Sequence, residues 1–334
     1  MAAPTNTFTS YSSVGTREDL SDVIYDISPV ETPVVSAIGR GKASNTKHEW
    51  QMDNLSDATN TGALEGDDHS GEAIVPTQRL ANYCQIFRKD IVVSGTQRAV
   101  DTAGRADELE YQIIKKGKEM KRDIEKAILG PYAATVGATG SARMLAGMES
   151  WLGSASVNGL NYNHVSKQSS ATAATTPGFV SSTGLVTDAP TDATAQGAIT
   201  EADLKSVIKQ AWDNGGDPRM VVVGSSNKQT ISGFSGIAQL QHTVSGTDAA
   251  IITGAADVYK SDFGAHRIVP TRQTRDQTVM VLDTDQWGID ELRPMQTVEV
   301  AKTGDSDKRM FLTEMTLRCN NPFANGKVAD CETS

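Results

Sequence analysis

The chain has 334 residues, 38% hydrophobic and 22% charged, an ordinary soluble composition with enough length for one large or two modest domains. Its formal charge is −10, with 31 Lys and Arg against 41 Asp and Glu. This excludes a protein that grips nucleic acid through a basic face, although an acidic wall can still enclose DNA without sticking to it. Aromatics are only 5%, so part of the stability is expected from contacts outside the chain's own core.

Residues 1–20 are rich in Ser and Thr and aperiodic, which reads as an extended or disordered arm with neither the basic nor the apolar region of a signal peptide. Residues 22–39 mix apolar side chains with Pro29 and Pro33, and each proline disfavours helix at the residue before it, so a short broken segment is expected. Two strand-like runs follow, 46–52 and 74–93, in which Tyr83, Gln85 and Phe87 alternate with Cys84, Ile86 and Arg88. The polar stretch 53–73 between them (DNLSDATNTGALEGDDHSGEA) has no apolar pattern. Together these read as a long two-stranded arm with an acidic tip. A free-standing hairpin is at best marginally stable in water, and a structureless connection of roughly 20 residues is uncommon unless functional. Such an arm makes most sense lying against another copy of the chain.

The strongest local signal spans residues 105–129. Leu109, Ile113, Met120, Ile124 and Ile128 form a narrow stripe along one helical face. Asp107, Glu108 and Glu110 load its first turns and six basic residues from Lys115 to Lys126 the rest, complementing the helix dipole, and Gly130-Pro131 stops it. Such a helix, roughly 35–40 Å long, packs on one side only. Residues 154–199 form a Ser/Ala/Thr/Gly-rich tract, expected as exposed loop with one or two short strands. Thr200 with Asp203 predicts a capping box, and Leu204, Val207, Ile208, Ala211 and Trp212 a broad apolar helix face. Met220–Val223 reads as a buried strand, 226–234 as a helix, and 256–259, 266–269 and 278–282 as strands. Residues 297–302 and 310–318 read as a hairpin.

Chemistry is sparse. There is no HExxH, GxSxG, GxGxxG or phosphate-loop pattern, and the five histidines are isolated. Cys84, Cys319 and Cys331 lack metal or disulfide spacing. Glu65, Asp67, Asp68, His69 and Glu72 are dense enough to suggest a divalent cation, but without the ligand order of a calcium loop they read better as a hydrated acidic tip that meets basic groups on a neighbour. Asp283-Thr284-Asp285 is a weaker hint of the same kind. No run of about 18 apolar residues exists. Neither cofactor, metal nor enzymatic activity is expected.

This order of parts, with the run SGTQRAVDTAGRADELEYQIIKKGKEMKRDIEKAILG at 94–130, resembles the major capsid proteins of tailed bacteriophages. SGTQ, AGR and the K…RDIE-like stretch carry the likeness in letters; elsewhere it lies in order and length. The resemblance implies an α+β chain with the Hong Kong 97-like fold. Its parts would be an N-terminal arm and lead-in (1–44), an extended β-hairpin loop (45–93), and a spine helix with peripheral domain (94–153). A surface insertion or loop tract (154–199), an axial domain (200–295) and a hairpin returning to the peripheral domain with the C-terminus (296–334) would follow. It also implies a virion protein, assembled in the host bacterial cytoplasm as hexamers and pentamers of an icosahedral shell around double-stranded DNA. The implied partners are copies of itself, a portal protein, separate scaffolding and decoration proteins, and DNA held without sequence-specific binding; no membrane is involved. Contacts between copies are expected at Trp50, Glu65, Asp67, Asp68 and Glu72 of the loop and at Lys115, Lys118 and Arg122 of the helix. No lysine lies between Lys47 and Lys89, so the covalent loop cross-link of the type member is not expected. Two alternatives stay open: an encapsulin-like shell with enzyme cargo, and a tail or adhesive structural protein, which should lack the spine helix.

Overall fold

The structure, a computed structural model, describes residues 31–333 apart from 56–57, 59, 61, 63, 67, 69–70, 72–73, 75, 101–106, 155, 158–159, 169–177 and 235–256. The expected N-terminal arm up to residue 30 lies outside the described residues.

The first half contains α1 (Pro33–Ala37), β1 (Gly39–Lys42), β2 (Lys47–Met52), β3 (Gln78–Tyr83), β4 (Gln85–Ser94), α2 (Gly95–Ala99), α3 (Glu108–Leu129) and α4 (Met148–Trp151). Next come β5 (Asn163–Ser166), α5 (Glu201–Asp213), β6 (Met220–Val223), α6 (Ser225–Ser232), β7 (Val258–Ser261), β8 (Gly264–Pro270) and β9 (Val279–Leu282). The chain closes with β10 (Trp287–Val300), β11 (Ser306–Cys319) and β12 (Gly326–Ala329).

Three sheets result: β2-β3 alone, a four-stranded sheet ordered β1-β10-β11-β4, and a six-stranded sheet ordered β5-β12-β9-β6-β8-β7. In the larger sheet Met220, Val222, Met280 and Leu282 face one core, while Val221, Val223, Val279 and Val281 face the other. A strand alternates its side chains between faces, so a sheet covered on both sides needs the unbroken apolar runs MVVV and VMVL. The first core also takes in α1, α3, α4 and the four-stranded sheet, and the second is closed by α5 and α6.

Several expectations need correction. The second strand of the arm does not run on to residue 93. β2 pairs with β3 only from Lys47↔Tyr83 to Met52↔Gln78, and β4 leaves to pair all ten residues with β11. The C-terminal hairpin is far longer than 297–318, running from Trp287↔Cys319 to Val300↔Lys308. Its register shifts on either side of Arg293, next to Pro294, which has no N–H for a ladder, and this break hides the first half of β10 from an alternation test. The tract after residue 154 is not simply exposed. Tyr162, Phe179, Val186, Ala193 and Ile199 are buried, and β5 joins the large sheet. Phe179 sits 6.4 Å from Trp151, 6.3 Å from Tyr162 and 6.1 Å from Phe323. Gly178 approaches Tyr162 with φ +67, a backbone and a space that only glycine accepts. Trp212, expected on the buried face of α5, is 54% exposed and meets Phe263 in a tilted ring contact at 5.2 Å.

Candidate assembly surface

The two-stranded β2-β3 hairpin holds its place through its root. His48 Nε2 on β2 lies 2.8 Å from Asp290 Oδ2 on β10, and Arg318 Nε on β11 donates to the same oxygen at 2.7 Å. Burial pushes the Asp290 carboxyl up, but the His48 contact and the Arg318 guanidinium outweigh it and hold it below the usual carboxylate range. Gly41 leaves the room for this carboxylate, since a Cβ there would sit 2.1 Å from Asp290 Oδ1. One face along, Trp50 Nε1 donates to the Cys319 carbonyl at 2.7 Å, with its ring 5.7 Å from Trp151. From β3, Asn82 Nδ2 donates to the Leu317 carbonyl at 2.8 Å, and Asn82 Oδ1 accepts from Ala146 N at 2.9 Å. The root is therefore a polar clamp on the four-stranded sheet.

At the other end of the hairpin, Glu65 and Asp68 are exposed and make no ion pair among the described residues. Asp67 and Glu72 lie outside the described residues.

The spine, α3, is anchored at both ends. Asp107 caps it by accepting from Leu109 N at 2.8 Å, and Arg98 Nη2 donates to the same side chain at 3.0 Å while also pairing with Asp307 of β11. Ser94 in turn caps α2 by accepting from Gln97 N at 3.2 Å. The letters SGTQR thus join β4, the start of α3 and the start of β11. Leu109, Met120, Ile124 and Ile128 of the expected stripe are buried along the spine, and near its C-terminal end so is Glu125. Its two carboxylate oxygens accept from Val34 N (3.0 Å) and Val35 N (2.9 Å), tying α1 to the spine. Burial raises the Glu125 carboxyl, opposed by these two N–H groups. On the opposite face Lys115 and Lys118 are exposed and Arg122 is half-buried.

Which proteins share this arrangement decides the family. The profile of the SU10 major capsid protein matches residues 3–332. The chain belongs to that family. The major capsid protein of Escherichia phage Phieco32 is 28% identical over 362 residues, covering 98% of this chain and 97% of that one. Among solved structures, the capsid of cyanophage P-SCSP1u is similar at a TM-score of 0.62 and 11% identity, covering 99% of this chain and 97% of that one. The mature capsid of bacteriophage PhiM1 gives 0.60 at 10% identity, with 98% and 96% covered. The fold is the α+β Hong Kong 97-like fold, and the protein is a structural, shell-forming major capsid protein of a tailed-phage virion.

In this SU10-type capsid protein the expected contact residues fall into three places. Trp50 turns inward at the hairpin root, Glu65 and Asp68 stand at the tip, and Lys115, Lys118 and Arg122 line the polar side of α3. Among the described residues, no ion pair joins Glu65 or Asp68 to Lys115 or Arg122. Sequence reasoning missed the roles of His48, Asp290, Arg318 and Glu125, whose partners are distant in sequence; for Glu125 the burial stripe itself held the signal, because it sits beside Ile124 on the apolar face. The weak calcium hint at Asp283 resolves into turn chemistry: its carboxylate accepts from Asp285 N and Asp217 N, both at 3.2 Å.

Proposed function

We propose that this capsid protein assembles in the host bacterial cytoplasm into hexamers and pentamers of an icosahedral shell enclosing double-stranded DNA, and carries out no catalysis. The hairpin lies over an adjacent copy, so that Glu65, Asp67, Asp68 and Glu72 meet the α3 face bearing Lys115, Lys118 and Arg122, while Trp50 fixes the direction in which the hairpin leaves. A portal protein, a separate scaffold and decoration proteins complete the particle. The observation that carries this reading is the contrast between the two ends of the hairpin. Its root is clamped by His48 on the buried Asp290 carboxylate, which Arg318 also holds, and by the Trp50 indole on the Cys319 carbonyl, whereas its tip carries exposed carboxylates, Glu65 and Asp68, with no partner among the described residues. Each contact is modest, and closed symmetry makes many of them act together. Charge pairing at the tip sets register more than affinity.

Electron microscopy with sedimentation velocity tests this. The wild-type chain, with whatever scaffold it requires, should give closed shells of uniform size. Reversing Glu65, Asp67 and Asp68 to Lys should sharply reduce closed shells while leaving the circular dichroism of the subunit unchanged. Normal shells from the reversed protein would remove the tip from the assembly mechanism.

A further inference from the structure

Along the polar side of α3 the basic residues are not equivalent. Lys115 and Lys118 stand in solvent, where an ion pair is weak. Arg122 instead borders a pocket of about 260 Å³ whose walls are Lys89 of β4, Glu119, Asp123 and Lys126 of α3, and Gln273 from the loop after β8. The acids of this pocket are already satisfied: Glu119 pairs with Lys116 at 2.7 Å and Asp123 with Lys89 at 2.5 Å. Arg122 makes no hydrogen bond or ion pair among the described residues, and its Nε is shielded from water without an acceptor. By contrast Arg98, Arg143, Arg275, Arg293 and Arg318 each engage a carboxylate. A shielded guanidinium nitrogen without a partner is an unfinished contact, because a desolvated donor loses water without replacing it.

We propose that this pocket receives a tip carboxylate, Glu65 or Asp68, from the hairpin of a second copy, with Arg122 as the binding group and Lys126 beside it. The inference rests on the proposed function and names the receptor within it. Glu65 and Asp68 are exposed and have no partner among the described residues, which complements Arg122, likewise without one. A planar guanidinium suits a carboxylate in two-point geometry, and partial burial strengthens the pair over one at Lys115. Packaged DNA fits the site less well. A duplex presents a charge about every 1.7 Å along its axis, and Glu119 and Asp123 at the rim repel such a line of phosphates.

Disulfide trapping in full-length shells tests the assignment. The native thiols are buried, and burial pushes Cys84 up to about 11 and Cys331 up to about 12, so background oxidation should be low. The pair Asp68→Cys with Lys126→Cys should link neighbouring chains into a ladder on denaturing gels, about tenfold faster than Asp68→Cys with Lys115→Cys, if the tip sits in the pocket. Faster linking at Lys115 would overturn the pocket and leave the hairpin-over-neighbour reading standing. Closed shells that link at neither position would overturn both. If the double variants do not close, Arg122→Gln supplies the second measurement. Its shells should dissociate at lower salt than wild type, whether empty or DNA-filled. Equal salt tolerance, or an effect confined to DNA-filled particles, would overturn the assignment, the latter by giving Arg122 to a phosphate.

Discussion

Lys327 shows what a single buried charge does to this subunit. It lies on β12 with no solvent exposure, and its Nζ donates to the Glu149 backbone carbonyl at 3.0 Å. Around it Glu149 accepts from Arg275 and from Thr278 Oγ1, and Arg275 also pairs with Asp192. Burial pushes the Lys327 ammonium down to about 8, with Glu149 pulling it up and Arg275 pushing it further down. In the unfolded chain a lysine titrates at about 10.4. Between those values the unfolded chain keeps a proton that the folded chain has released, so this residue adds stability as pH rises across the window; below about 8 its burial penalty is complete. Lys327→Met should lack that rise. The buried thiols Cys84, Cys319 and Cys331 are shifted upward and act in the opposite direction, so the useful quantity is the difference between the two proteins. Urea denaturation of unassembled subunits at pH 7.5 and 10 should show that difference changing by on the order of 2–3 kcal/mol. A constant difference would mean that the amine is solvated or already neutral at pH 7.5.

At the scale of elements, what could be read from the sequence depended on whether a signal was local. The capping box of α5 appears as expected, with Asp203 Oδ2 accepting from Thr200 N at 2.8 Å and Thr200 Oγ1 accepting from Asp203 N at 3.4 Å. Met220–Val223 is the strand that its apolar run announces, and α3 ends at Leu129 before Gly130. Pairings set by tertiary packing were illegible. Nothing in Gln85–Ser94 distinguishes continuing a hairpin from joining β11, because the same alternation suits either partner. The tip and spine charges stood out as dense local runs, whereas the root clamp joins residues from four separate strands, β2, β3, β10 and β11. That clamp is testable. Asp290→Asn keeps the shape but removes the charge between His48 and Arg318. Losing a charged hydrogen-bond acceptor of this kind costs about 1.5–3 kcal/mol, so amide exchange across Lys47–Met52 and Gln78–Tyr83 should quicken by about tenfold to a hundredfold. Exchange within α5 should not change. Unaltered protection of β2 and β3 would show that Trp50 and Asn82 suffice to hold the hairpin.

For the whole molecule, the order in which the chain is made bears on when it becomes fit to assemble. The last strand, β12, is not an edge addition. It lies between β5, in parallel register from Gly326↔Asn163, and β9, antiparallel from Gly326↔Val281. Asn325, just before it, accepts through Oδ1 from Asp283 N and Trp287 Nε1, both at 2.8 Å, and its carbonyl accepts from Asn163 Nδ2 at 2.9 Å. Val328 and Cys331 complete the core under α5. Without these residues β5 and β9 would face each other across an unfilled gap, with two ladders of backbone groups unpaired. A subunit thus gains a rigid large sheet only after residues 325–331 are in place, which delays rigid surfaces until that segment has been made. Truncation after Phe323 should give no soluble, protease-resistant subunit and no shells. Removal of Thr333 and Ser334 alone, beyond the bridge between Gly197 and Cys331, should leave both intact. Limited proteolysis of the two proteins, read beside negative-stain images, checks this. A protease-resistant subunit from the longer truncation would mean that β5 and β9 can close without β12, and that the C-terminal strand does not gate assembly.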